Sequence, residues 1–270
     1  MKKSLNINKN VFLKKFKKIS DNFCQKLEKY IEDSNDDNIH DIRVSIRRLE
    51  TAYKILPKNI RKQKKMKNYL KQAKKLFKMN AKIRDFDIIC ANMESRYQDK
   101  TQSLVESMRD SRVGHIKNAN KLAIKISQIP NPKILKSSLE ESKLEKKYLK
   151  VLDNIMLDIQ KNTIISLRDE KKIDELHMLR KDFKKLRYSL ELVSDKKTIL
   201  ETLANLKNIQ DMLGEIHDKD IAIDYLKNIE QNSRYSDIIS SEVLERTKKY
   251  NEFVAFFRKY PKAGNFDLKF

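Results

Sequence analysis

Only three glycines and four prolines are spread over 270 residues. That scarcity limits the fold more than any motif does. Tight turns draw on those two residues, so a chain with so few is a poor candidate for a β-rich fold and a good one for long helices. The rare breakers mark the architecture. Pro57 ends one segment, Ile129-Pro130-Asn131-Pro132 divides the chain near its middle, and Pro261 begins a tail. Between them apolar residues recur at three- and four-residue spacing, the helical period. Four helices are expected before the central break, over 9–33, 37–56, 59–94 and 99–128. Four more are expected after it, over 138–168, 172–194, 197–231 and 235–260. Asp33-Ser34-Asn35-Asp36 and Ser194-Asp195 supply caps and turns.

A hydrophobic share of 39% marks a globular chain, and its length suffices for a sizeable core in one large domain or two small ones. The formal charge of +22 attracts polyanions over long range, although a Lys-rich composition alone produces surface charge. Placement of the charge has to decide between these. Cys24 and Cys90 lack metal-ligand or disulfide spacing and read as small apolar core residues in a reducing compartment. The Lys-rich start lacks the apolar run of a signal peptide, and no apolar stretch approaches the roughly 20 residues a bilayer span needs. A cytoplasmic, soluble protein without membrane insertion is expected.

The two halves resemble each other. Ile39-His40-Asp41-Ile42-Arg43 aligns with Leu176-His177-Met178-Leu179-Arg180, and Arg47-Arg48-Leu49 with Lys184-Lys185-Leu186. Arg84-Asp85-Phe86-Asp87-Ile88 aligns with His217-Asp218-Lys219-Asp220-Ile221. A duplicated four-helix unit follows, with two bundles related by a pseudo-two-fold axis; the repeat halves cover about 9–128 and 138–260 of a single domain.

On a helical wheel with His177 at zero, Arg180 lies near 300°, Lys184 near 340°, Arg187 near 280° and Tyr188 near 20°, at about 100° per residue. Leu179, Phe183, Leu186 and Leu190 cluster around 210° and form a core face. The first half repeats the stripe with His40, Arg43, Arg47 and Thr51 over Ile42, Ile46, Leu49 and Tyr53. Like charges at helical neighbour spacing repel, so such a stripe suits a solvated face or a bound anion. Two features favour the anion. Arg, whose planar fork matches phosphate oxygens, recurs here at 43, 47, 48, 180 and 187 in a chain that otherwise uses Lys. Three of the four histidines, His40, His177 and His217, fall in the repeated motifs, whereas His115 follows Gly114 in a polar helix and reads as incidental. Asp85/Asp87 and Asp218/Asp220 could hold a metal or orient neighbouring cations; the second reading is preferred, because each pair follows a basic residue. Lys74 and Lys207 sit at equivalent places upstream.

Together these motifs resemble the CHAD family, the conserved-histidine α-helical domain. His40-x-x-Arg43-x-x-x-Arg47-Arg48-Leu49 is similar to its first motif, and Arg84-Asp85-x-Asp87-Ile88 to its second. The third is matched by Glu175-Leu176-His177-x-Leu179-Arg180-x-x-x-Lys184-Lys185-Leu186-Arg187-Tyr188. Leu206-Lys207-x-Ile209-Gln210-Asp211-x-Leu213-Gly214-x-x-His217-Asp218 resembles the fourth. The resemblance implies two four-helix bundles enclosing a basic groove or pore, binding of inorganic polyphosphate, and recruitment to polyphosphate-containing bodies. Nothing resembles the triphosphate-processing tunnel domain fused to some relatives, so a stand-alone form is expected. Glu50 departs from the pattern, standing where the family often has Arg and where the second half has Arg187. Lys184 and Lys185 keep charge but lose the bidentate fork.

The expected function is therefore non-enzymatic polyphosphate binding, without catalytic residues, metal or cofactor. The expected clamp sets His40, Arg43, Arg47 and Arg48 against His177, Arg180, Lys184 and Arg187, with Lys74, Arg84, Lys185, Tyr188, Lys207 and His217 extending it. RNA or single-stranded DNA is the first rival partner, but aromatics interleaved with the cations are missing. His177 with His217-Asp218 is superficially similar to helical metal-dependent phosphohydrolases; Arg84, a non-ligand, at the repeat position of His217 argues against that. A purely structural scaffold would show no saturable polyanion binding.

Overall fold

The computed structural model describes residues 7–193, 197–229 and 232–258, and all regular structure within them is helical. Helices α1 (Lys9–Glu32), α2 (Asp36–Ile55), α3 (Lys58–Arg61) and α4 (Lys64–Ser127) precede the central break. After it come α5 (Glu141–Ser166), α6 (Ile173–Leu190), α7 (Lys197–Asn228) and α8 (Ser236–Arg258). The expected cap Ser194-Asp195 and the tail from Pro261 lie outside the described residues.

Local chemistry sets most of the ends. Asn8 caps α1 by accepting from the Asn10 and Val11 amides, and Asn35 caps α2 by accepting from Asn38. Asp36 and Asp37 place carboxylates in the first turn of α2, where the helix dipole favours them. Leu56, ahead of Pro57, is extended as a pre-proline residue must be, so α2 stops there. Three boundaries differ from expectation. The third helix was expected from 59; instead the four-residue α3 ends at Arg61 and α4 starts at Lys64. Separate helices were expected over 59–94 and 99–128, but helical structure continues through that junction, with a sharp kink at Gln98 (φ 1°, ψ −87°). A short 3-10 turn, Lys136–Ser138, occupies the expected start of the fifth helix, which begins at Glu141.

The chain packs as two compact units whose border falls between Leu149 and Lys150, inside α5. In the first unit α1 presents Phe12, Phe16, Phe23, Leu27 and Tyr30 at helical spacing, all buried. They meet Ile39, Ile42, Ile46, Leu49 and Tyr53 of α2 and Tyr69, Ala73, Leu76 and Ile83 of α4. Phe16 meets Tyr53 edge-on at 5.6 Å and Phe23 meets Tyr69 at 5.8 Å, a geometry the ring quadrupoles favour. The Tyr30 hydroxyl, buried in this core, donates to Asn80 Oδ1 at 2.9 Å. Cys24 is a free, half-buried thiol against the Tyr69 hydroxyl, and Cys90 is free and buried. In the second unit Leu176, Leu179, Phe183, Leu186 and Leu190 of α6 pack with Leu206, Ile209, Leu213 and Ile216 of α7, and Phe253 and Phe257 of α8 complete the core. The core faces of α2 and α6 are thus the ones the wheel assigned. No helix among the described residues is long and apolar enough to cross a membrane.

Candidate functional site: a basic helix face in each unit

In each half an arginine of the last helix ties three segments together. Arg112 Nε donates to Asp87 Oδ1 at 2.6 Å, and its Nη2 reaches the Ser34 carbonyl and Asp36 Oδ1 at 3.4 and 2.6 Å. Arg246 Nε donates to Asp220 Oδ1 at 2.7 Å, and its Nη2 donates to the Glu170 carbonyl at 2.7 Å. Both guanidiniums therefore join the long third helix to the loop that launches the His-bearing helix. Burial pushes the carboxyls of Asp87 and Asp220 up, and the adjoining arginines pull them back. The aspartates orient cations as expected, but the principal cation differs. Arg84 and His217 were the expected partners; Arg112 and Arg246 do the holding. Ser111-Arg112 and Glu245-Arg246 occur 25 and 26 residues after the aspartates, a match visible only once the repeat is extended to the last helix.

With its N-terminus held this way, α2 carries an exposed His40 and half-buried Arg43, Arg47 and Arg48. The guanidinium carbons of Arg43 and Arg47 lie 4.3 and 5.0 Å from the centre of the Phe77 ring on α4. Arg43 Nη1 also donates to the Phe77 carbonyl at 2.9 Å. One aromatic ring thereby gathers two like charges, each held by its attraction to the π face. The sequence reading missed Phe77. Lys74 forms a 3.0 Å ion pair with Glu50, so the acidic departure from the family pattern offsets one expected phosphate contact. Arg84 is half-buried and its charge favours ionised Asp87.

In the second half the stripe of α6 meets α7. His177 Nδ1 lies 2.9 Å from His217 Nδ1, with ring centres 4.2 Å apart. At that distance one nitrogen carries the hydrogen and the other accepts it. Burial drives the His217 pKa down to about 2, helped by Arg180, His177, Lys184 and Lys181. His217 is thus neutral, and the tautomers decide which ring nitrogen of the pair donates. His217 contributes a neutral ring to the site, not a cation. Arg180 and Lys184 are half-buried beside it. Arg187 bonds to Glu191 at 3.2 Å and Gln210 at 3.3 Å. Gln210 occupies the repeat position of Phe77, so amide replaces ring under the second stripe.

Two expected contacts sit differently. Tyr188 was expected to present its hydroxyl on the stripe, but it is buried at 6% exposure. Its repeat equivalent Thr51 is buried too and donates to the Arg47 carbonyl. That edge of both stripes is buried. Lys185 Nζ pairs at 2.6 Å with Asp182, whose side chain is fully buried and also accepts from Asn162. Lys207 is exposed on α7.

The depressed His217 pKa has a consequence for stability. An unfolded chain protonates this histidine near its ordinary value of 6.5, whereas the folded chain does not. Its contribution is present above about pH 6.5 and lost as pH falls, with a slope of up to about 1.4 kcal/mol per pH unit. Urea unfolding between pH 7.5 and 4.5 should show His217→Gln losing less stability on acidification than the parent. Parallel profiles would mean that His217 titrates normally in the fold.

The two halves thus form an all-helical protein whose repeated, histidine-marked helices carry half-buried cations. The family model described as CHAD domain matches residues 16–227, and the chain belongs to the CHAD family. It is similar in fold to a crystal structure of the CHAD domain from the plant Ricinus communis, with a TM-score of 0.60 and 15% sequence identity. That similarity covers 97% of this chain and 89% of the plant chain. No curated protein matches.

Proposed function

We propose that this protein binds inorganic polyphosphate without acting on it, through the cationic faces of α2 and α6. The observation that carries this reading is the pair Arg43 and Arg47, gathered side by side over Phe77 on the helix that also bears His40. Two forks held against their mutual repulsion suit adjacent phosphate groups of a linear chain. On α6, Arg180 and Lys184 take the same positions beside His177. Phosphate would favour the charged imidazolium, so ligand should raise the His177 pKa and bind more tightly at lower pH. The reading places the protein in the cytoplasm, associated with polyphosphate granules.

Nucleic acid is the less favoured partner. Burial of Tyr188 removes the one aromatic that the stripe would have offered to a base, and Phe77 already lies beneath two guanidiniums. Calorimetric titration with long-chain polyphosphate at two salt concentrations, with single-stranded RNA of matched charge alongside, tests the proposal. Saturable binding that weakens steeply with salt and exceeds that of RNA is expected. Equal or tighter RNA binding would move the function to nucleic acid, and no saturable binding to either would leave a scaffold.

A further inference from the structure

Beyond the kink at Gln98, α4 runs on to Ser127 and turns one face to solvent. Glu106, Asp110, Val113, Gly114, Lys117 and Lys121 are all exposed there. On a wheel with Glu106 at zero they lie between about 340° and about 80°, so they form one stripe. Its charges are segregated along the helix. The two acids come first, four residues apart, and the two lysines come last, again four apart. Each like pair repels at that spacing. Asp110 and Lys117 are about 10 Å apart along the axis, too far to offset this. Arg109, the cation nearest the acids, is engaged by Glu94. Between the acids and the lysines sit Val113, 66% exposed, and Gly114.

A glycine inside a helix costs stability relative to alanine. Gly114 does not have a positive φ, and nothing lies within 4 Å of where a Cβ would stand. Neither backbone conformation nor packing within the chain therefore calls for glycine here. What remains is close approach by another backbone. The repeat supplies an internal control. By the match of Arg112 with Arg246, Glu106, Asp110, Gly114 and Lys117 correspond to Ser240, Leu244, Lys248 and Asn251 on α8. The second half has neither the glycine nor the order of charges. A requirement of the four-helix fold would appear in both halves.

We propose that this stripe is a homodimer interface, on which the segment packs antiparallel against the same segment of a second copy of this chain. A two-fold axis crossing the helix between Val113 and Gly114 sets Glu106 against Lys121 of the second copy and Asp110 against its Lys117. The same pairs recur on the other side of the axis, so every charge of the stripe meets its opposite. A parallel pairing would set like against like. At the axis Val113 packs on Gly114 of the second copy, where the missing Cβ lets the two backbones close. The net charge of +22 opposes association at long range. At about 0.15 M salt the screening length is about 8 Å, so the local pairs decide. One helix pair falls below about 1,200 Å² of buried surface, and the dimer is accordingly reversible. None of this rests on the phosphate reading.

Sedimentation velocity of the full chain, from about 10 μM to about 1 mM at physiological salt, should show a monomer passing into a dimer. Gly114→Gln should weaken association by about tenfold or more, while its melting temperature stays the same or rises, because glutamine is the better helix former. A chain with Lys117→Glu and Lys121→Glu carries an all-acidic stripe, and one with Glu106→Lys and Asp110→Lys an all-basic stripe. Each alone should stay monomeric, whereas an equal mixture of the two should dimerise at least as readily as the parent. Far-ultraviolet circular dichroism verifies the fold of every variant. A parent that stays monomeric throughout would overturn the interface. So would a dimer that survives Gly114→Gln and both charge variants, or a mixture of the charge variants that stays monomeric.

Discussion

Replacing Arg43, Arg47, Arg180 and Lys184 together with alanine should weaken long-chain polyphosphate binding by roughly 100- to 1000-fold, from four half-exposed contacts at about 0.7–1 kcal/mol each. These side chains are partly solvated, so each contact is screened by salt and water. The salt dependence should flatten as well, by about the counterions that four phosphate contacts release. Helical content should not change, since none of the four fills a core position. Calorimetry at two ionic strengths beside a circular dichroism spectrum checks both halves of the prediction. A variant at Lys62, Lys64, Lys65 and Lys67 with equal loss would show that bulk charge, not the stripe, governs long-chain binding.

The largest expected effect on stability comes from Arg246. Its side chain is 8% exposed, and it satisfies Asp220, itself 10% exposed, together with the Glu170 carbonyl. Arg246→Met leaves a buried carboxylate and a carbonyl without their donor, so about 3–5 kcal/mol of stability should be lost. Adding Asp220→Asn should restore part of it, because the stranded charge is then gone. Arg112→Met should also destabilise, because it strands Asp87, whose side chain is 2% exposed. Urea unfolding of the three variants decides. A loss below about 1 kcal/mol for Arg246→Met would show that the arginine is a surface ion pair in effect.

The charged side chains divide by how far their partners lie along the chain. Local rules reach the helices because their causes are local: few Gly or Pro residues, apolar spacing, and Asn caps at 8 and 35. The core faces of α2 and α6 were equally legible, since Ile42, Ile46 and Leu49, like Leu179, Phe183 and Leu186, sit at angles that any packing must bury. His40, Arg43, Arg47 and Arg180 were recognisable from the repeat and from the use of Arg in a Lys-rich chain. A wheel gives the direction of a side chain, however, and not what stands there. Tyr188, near the edge of the stripe, looked available and is buried. Asp87 and Asp220 were recognisable as cation holders, but Arg112 reaches back from beyond the kink in α4 and Arg246 from α8. Phe77 beneath the arginines and His217 made neutral by burial against His177 exist only where two helices meet. The sequence by itself determined the helices, their apolar faces and the helix that carries each cation; which cations are paired, stacked or buried was decided by tertiary packing, because burial and charge pairing depend on distances between residues that the chain keeps far apart.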